Sequence, residues 1–262
     1  MLSEIRKISS LLLSVAFSSI GFIASITVTV LAAREVSSNP LFVGFPNAVG
    51  VGGAVLGTRM IYLISKNNSQ LNALAFTFLI GAFGGAIMFY SLIVDSFVLL
   101  LFGAFILGIG QSATLQTRYA ASFVASEKFK ATALSLAVWF SVFGSVFGPR
   151  MVGSYSNFFE NIFNSELIVG YVIALVGMLF AASSLFIFTS KKSILRSPSN
   201  LESESNNQNS NKKNGNLLSL LLVLNHFTMV VIMSATPLHI QDIGETVQLV
   251  GIIISYHTLG MF

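Results

Sequence analysis

Long apolar runs separated by short polar breaks set the pattern of this chain. They fall at about residues 9–33, 41–64, 70–91, 96–122, 131–153, 167–190 and 217–239, and an eighth starts near 249. Apolar residues are too dense inside the runs for a helical or a strand period to stand out, so length decides between the two. About 20 residues is the length of a helix crossing the hydrocarbon core of a bilayer, and a helix satisfies its own backbone there. The pattern therefore predicts an all-α polytopic membrane protein. The first run follows Arg6 and Lys7, as the core of a secretory signal would. It is longer than the 7–15 residues of such a core and further spans follow it, which predicts an uncleaved first transmembrane helix.

One segment breaks the pattern. Between Lys191 and Asn216, thirteen of 26 residues are Asn or Ser, leaving little apolar area to offset the entropy of ordering the chain. A flexible cytoplasmic linker is expected over 191–216, between a six-helix bundle at 1–190 and the start of a second bundle at 217–262. A faint repeat agrees: Ser10 precedes Gly44 by 34 residues, and Leu217 precedes Gly251 by the same 34. Because the eighth run is only 14 residues long at Phe262, the expectation is a fragment with a truncated second unit.

Composition narrows the class further. The chain of 262 residues is 54% hydrophobic and 9% charged, with a mean hydropathy of +0.80, far from the roughly one-quarter charged content of soluble domains. Its net charge of +4 is spread over loops, without the dense basic and aromatic patch of a nucleic-acid interface. If the N-terminus is cytoplasmic, the inner segments hold Arg6, Lys7, Lys66, Lys128, Lys130, Lys191, Lys192, Arg196, Lys212 and Lys213. Glu35, Asp95, Glu160, Glu166, Asp242 and Glu245 then fall outside, with Arg34 and Arg150 the exceptions among the basic residues. This bias predicts a cytoplasmic N-terminus in a cell inner or plasma membrane. With no cysteine, disulfides, thiolate metal sites and cysteine nucleophiles are excluded. No zinc, phosphate-loop or paired-carboxylate pattern is present either, so no enzyme, metal site or cofactor is read.

Two sets of residues stand out. Gly53, Gly57, Gly108, Gly110, Gly144, Gly148 and Gly153 are placed to let helices approach closely, and Pro149 removes a backbone hydrogen bond and bends the fifth helix. The second set is polar. Arg59, Arg118 and Arg150 lie near helix ends, and the readings are open: each snorkels to an interface, or Arg118 and Arg150 face a cavity between the halves and attract an anionic group or pair with a carboxylate of the truncated second unit. Asn47, Gln111 and Gln116 lie deeper, as does His226, which either bonds across helices or titrates as a proton site. Trp139 reads as packing, interface anchor or substrate stacking. No carboxylate lies deep in the first six helices.

Gly144-x-x-x-Gly148-Pro149 in the fifth helix, Gly108-x-Gly110 in the fourth, and Arg118-Tyr119-Ala-Ala before a basic loop resemble the major facilitator superfamily, in particular its bacterial antiporter-like members. Thr236-Pro237-Leu-His239 followed by Val250-Gly251 is similar to its passage from helix 7 to helix 8. Two departures weaken proton coupling and the charged hinge. The loop after the second helix has Ile61 and Ile64 where the family has Asp and Gly, keeping only Lys66, and Ala104 stands where the helix 4 motif has Arg. The resemblance implies a secondary transporter of a small solute working by alternating access, with efflux slightly favoured and a coupling ion as a further partner. It implies the bilayer and a small-molecule substrate as partners, with Asn47, Gln111, Arg118, Arg150 and His226 lining the cavity. The alternative is a membrane sensor or scaffold, against which stands the absence of a folded soluble domain.

Overall fold

The computed structural model describes residues 2–37, 39–67, 69–188 and 212–260. The described residues form α-helices with short 3-10 turns and no strands. The helices are α1 (Leu2–Val36), α2 (Phe45–Asn67), α3 (Gln70–Ile93), α4 (Phe97–Val124), α5 (Lys130–Phe163), α6 (Ile168–Phe188), α7 (Lys212–Asp242) and α8 (Val247–Gly260). Six of them, α1 to α6, are long and apolar enough to cross a membrane, and α8 is apolar but shorter. The chain is a multi-pass membrane protein.

Short connections reverse the chain after each of α1 to α5, so the bundle has two distinct ends. The α2–α3 and α4–α5 connections carry Lys66, Lys128 and Lys130 to one end, called here the basic face. Glu35, Asp95, Glu160, Glu166, Asp242 and Glu245 collect at the other, the acidic face. The expected linker lies outside the described residues up to position 211, and its last five residues open α7.

α1 is the axis of the bundle, packed against α4, α5 and α6, while α3 joins α4 and α6 and α2 lies on α4. Ile8, Leu11, Leu12, Val15, Ala24, Val28 and the run from Val30 to Ala33 are buried, while Leu13 is exposed and Phe22, Ile23 and Ile26 are only partly covered. Lipid is as apolar as leucine, so close van der Waals packing has to hold such a bundle together. Small residues make this possible. A methyl group added at Gly110 would lie 2.6 Å from Gly81 Cα of α3, and one at Gly148 would lie 2.6 Å from the Ile20 carbonyl of α1. Gly144 faces Ala16 and Ser19 of α1, and Gly53 and Gly57 face Phe105 and Ile109 of α4. Ile61, where the resembling family has a charge, is 1% exposed and belongs to the core.

α5 runs to Phe163, past the end expected at 153. Its end is fixed by Asn164, whose left-handed backbone (φ 55°) lets its N–H donate to the Glu160 carbonyl at 2.9 Å. Asn tolerates this conformation better than most residues. The T-shaped contact of Phe163 with Phe89 anchors the extension to α3.

The next carboxylate, Glu166, lies in the α5–α6 connection. Burial, and then the neighbouring charge of Glu160, push its pKa up. A carboxyl raised on folding binds its proton more tightly in the folded state, so its contribution is present at low pH and is lost as pH rises through the raised value. Glu166→Gln is expected to leave the melting temperature unchanged near pH 4 and to raise it relative to wild type as pH climbs to about 7. A gap that stays constant across that range would contradict it.

Candidate functional site

A cavity of about 550 Å³ lies between the six-helix bundle and α7. Its walls come mainly from α1, α2, α4 and α7, with Met88 of α3, Ser145 of α5 and Thr258 of α8 completing them. That volume is in the range of small-molecule sites, which are mostly apolar with a few placed polar groups. Phe22, Ile23, Ile26, Leu107, Met229 and Met233 supply much of the apolar surface.

The close approach of α2 to α4 shapes one wall. Gly50 and Gly108 meet backbone to backbone, and both line the cavity. Along α4 the lining positions are Ala104, Leu107, Gly108, Gln111, Thr114, Leu115 and Arg118. Steps of three and four residues place them on one face of the helix. From Ala104 to Arg118 that face is about 21 Å long at 1.5 Å per residue. Ala104 makes the end where the resembling family has Arg an apolar one, and the charge sits at the other end, on Arg118.

Most hydroxyls lining the cavity are satisfied by their own helix. Ser25, Thr29, Thr58, Ser145 and Thr258 donate to carbonyls of the preceding turn at 2.6–3.0 Å. Of the buried polar atoms without a partner among the described residues, three belong to the cavity lining: Ser19 Oγ, Thr114 Oγ1 and Arg118 Nε. Among the described residues, no lining residue other than Arg118 is ionised at neutral pH.

α7 is tied to the bundle at its acidic-face half. Asn47 Nδ2 donates to Ser234 Oγ at 3.1 Å, Arg34 pairs with Asp242 at 2.6 Å, and it also reaches Gln241 Oε1 at 3.4 Å. The Arg34–Asp242 pair is about half exposed, so it contributes at most about 1 kcal/mol. Toward the basic face, Leu217, Leu218, Leu220, Leu221, Leu224 and Phe227 of α7 are all more than half exposed.

Of the polar residues singled out by sequence, the structure brings Asn47, Gln111 and Arg118 into one cavity. Arg150 is not there. It points outward on α5, its guanidinium 5.5 Å from the Tyr256 ring centre and 3.3 Å from that hydroxyl. Tyr256 of α8 draws it away, a partner 106 residues along the chain. Trp139 and Arg59 are also exposed and outside the cavity. His226 lies on α7, with its side chain outside the described residues. Ser19 and Thr114 were missed by sequence reasoning. The available signal was the spacing of Thr114, three residues after Gln111 and four before Arg118.

α8 completes the arrangement. A methyl group at Gly251 would fall on the Pro149 carbonyl and lie 3.2 Å from Gly153 N, while one at Gly153 would lie 3.0 Å from Gln248 Cα. The Ser255 hydroxyl has two acceptors in reach, the Val146 carbonyl at 2.9 Å and its own helix's Gly251 carbonyl at 2.7 Å. Pro149 cannot donate to the carbonyl of Ser145, which loosens α5 beside this contact.

Comparison with known proteins points the same way. No family model matches the chain, and no solved structure matches it. The uncharacterized MFS-type transporter YdeG of Bacillus subtilis (strain 168) is 27% identical over 260 residues, covering 95% of this chain and 60% of that protein. The uncharacterized MFS-type transporter YddS of the same organism is 27% identical over 268 residues, covering 98% of this chain and 62% of that protein. The chain thus spans about three-fifths of the length of these relatives. Over nearly its whole length it is similar to MFS-type transporters, and its six apolar helices fit a half-domain of the major facilitator superfamily.

Proposed function

We propose that the protein is a secondary transporter that moves a small solute across the cell membrane by alternating access. The cavity of about 550 Å³ between the six-helix bundle and α7 carries this reading, because it puts a solute-sized site where two units meet. Residues 1–190 are the first unit, 191–216 the linker and 217–262 the opening of the second. With the N-terminus cytoplasmic, the acidic face is external and the bonds Asn47–Ser234 and Arg34–Asp242 close the cavity there. The exposed basic-face half of α7 then fits an inward-facing arrangement, and the helix 5 pattern favours export. Rocking requires surfaces that slide while remaining packed, a role suited to the glycines of α5 and α8.

The test is movement of solute. Proteoliposomes bearing the chain are loaded with a panel of small amphipathic compounds and followed under imposed proton and sodium gradients. Saturable movement that requires the protein and follows a gradient supports the proposal. A chain that inserts and folds but moves none of the panel under any gradient would favour a sensor or scaffold instead.

A further inference from the structure

We infer that the solute is an organic anion with an apolar body, its charged group bound by Arg118 and its body lying along α1, α4 and α7. The inference deepens the transporter reading and rests on it for the identity of the cavity as a solute site. Its first support is an unmet electrostatic demand. Arg118 has neither an ion pair nor a hydrogen bond with any described residue, and its Nε is buried. A cation partly withdrawn from water without a partner carries a desolvation cost, and a bound anion offsets it through charge-assisted hydrogen bonds. Among the described residues, no carboxylate lines the cavity to compete for it.

The second support is what surrounds the charge. Thr114 Oγ1 lies on the same face of α4, one turn before Arg118, and is buried without a partner; Gln111 lies one turn further along. A hydroxyl, an amide and a guanidinium at this spacing offer several donors along one line. The planar guanidinium fork suits a carboxylate or sulfonate better than a lysine would. Beyond them the surface turns apolar, with Ile23, Ile26, Leu107, Met229 and Met233. A charge at one end and a long apolar wall select an amphipathic monoanion over a sugar, a cation or a small inorganic ion. Snorkelling is the competing account of Arg118. It buries the stem with Nε, leaves the head in water, and predicts that anion binding does not depend on this residue.

The experiment is equilibrium dialysis with the full chain in phosphatidylcholine nanodiscs, using three probes with the same ring system: 2-naphthoate, 2-naphthamide and 2-naphthylmethylammonium. The acid is expected to bind at least about tenfold more tightly than the amide or the amine, the size of effect one charge-assisted contact supplies. Arg118→Gln should abolish that preference while leaving amide binding within about twofold, which also shows that the variant is folded. Arg118→Lys should retain part of the preference, and Thr114→Val should weaken acid binding alone. Equal binding of the acid and the amide, a preference that survives in Arg118→Gln, or no saturable acid binding up to about millimolar would overturn the inference. Displacement of the acid by phosphatidylglycerol in the nanodisc would support the anion site and identify its occupant as a lipid. Vesicle transport is measured separately. Selective binding without transport would sink the transporter reading alone, and transport of neutral compounds without acid preference would sink this inference alone.

Discussion

Gly108→Ala is expected to destabilise the protein by about 3 kcal/mol, the upper part of the range for overpacking a tight core. The new methyl group would fall on the Gly50 carbonyl oxygen and lie 2.8 Å from its carbon and 3.0 Å from its Cα. These are backbone atoms of α2, and no side-chain rotamer can relieve the overlap. The two helices must separate, and the contact is shared with Gly53 against Phe105 and Gly57 against Ile109. Because Gly50 and Gly108 also line the cavity, the same shift should weaken ligand binding. Gly52→Ala is the control: it sits in the same helix with nothing within 4 Å of the added group. There, alanine's better helix propensity should stabilise by up to about 1 kcal/mol. Unfolding in mixed detergent micelles, followed by circular dichroism, gives both values. Equal behaviour of the two variants would mean that α2 and α4 are not held at this distance.

That contrast marks what the sequence can and cannot tell. Glycines in membrane helices are visible as residues, yet Gly52 and Gly53 differ only in which side of α2 they occupy, and the direction of the neighbour decides which one matters. The helices themselves were legible because nothing competes with helix in a long apolar run. Their ends were less so. Ser154 to Phe163 looked like a loop because it is polar and past the length a bilayer needs, and it remains helical until Asn164 turns the chain. Asn47 and Gln111 could be read as deep polar residues and cavity candidates, and Arg118 as an arginine near a helix end with a cavity-facing reading open. Thr114 could not, since most threonines in these helices satisfy themselves on the preceding turn, as Thr117 does on the Ala113 carbonyl at 2.7 Å. Only the assembled structure separates the hydroxyl that is satisfied from the one that is not. Arg150 and Arg118 looked equivalent as arginines near helix ends, and a tyrosine on α8 made them different.

The α5–α8 contact leads to the second large effect. Gly251→Leu is expected to slow solute movement by about tenfold or more while leaving the six-helix bundle intact. Leucine there would meet the Pro149 carbonyl and the Gly153 backbone, pushing α8 away from α5 and breaking the reach of Ser255 to the Val146 carbonyl. Overpacking costs of 1–3 kcal/mol that act on one arrangement and not the other shift their balance by about 5- to 150-fold, enough to trap a two-state machine. The site of the change matters. Gly148→Leu would land on α1 at the Ile20 carbonyl, inside the bundle, so loss of transport there would not separate motion from folding. The atoms nearest to a group added at Gly251 are the Pro149 carbonyl and Gly153 N of α5, where α8 meets the bundle. Unfolding of α1 to α6 should therefore be nearly unchanged, and Ile252→Leu, at an exposed neighbouring position, should transport normally. A Gly251→Leu chain that carries solute at the wild-type rate would show that α5 and α8 do not move against each other during transport.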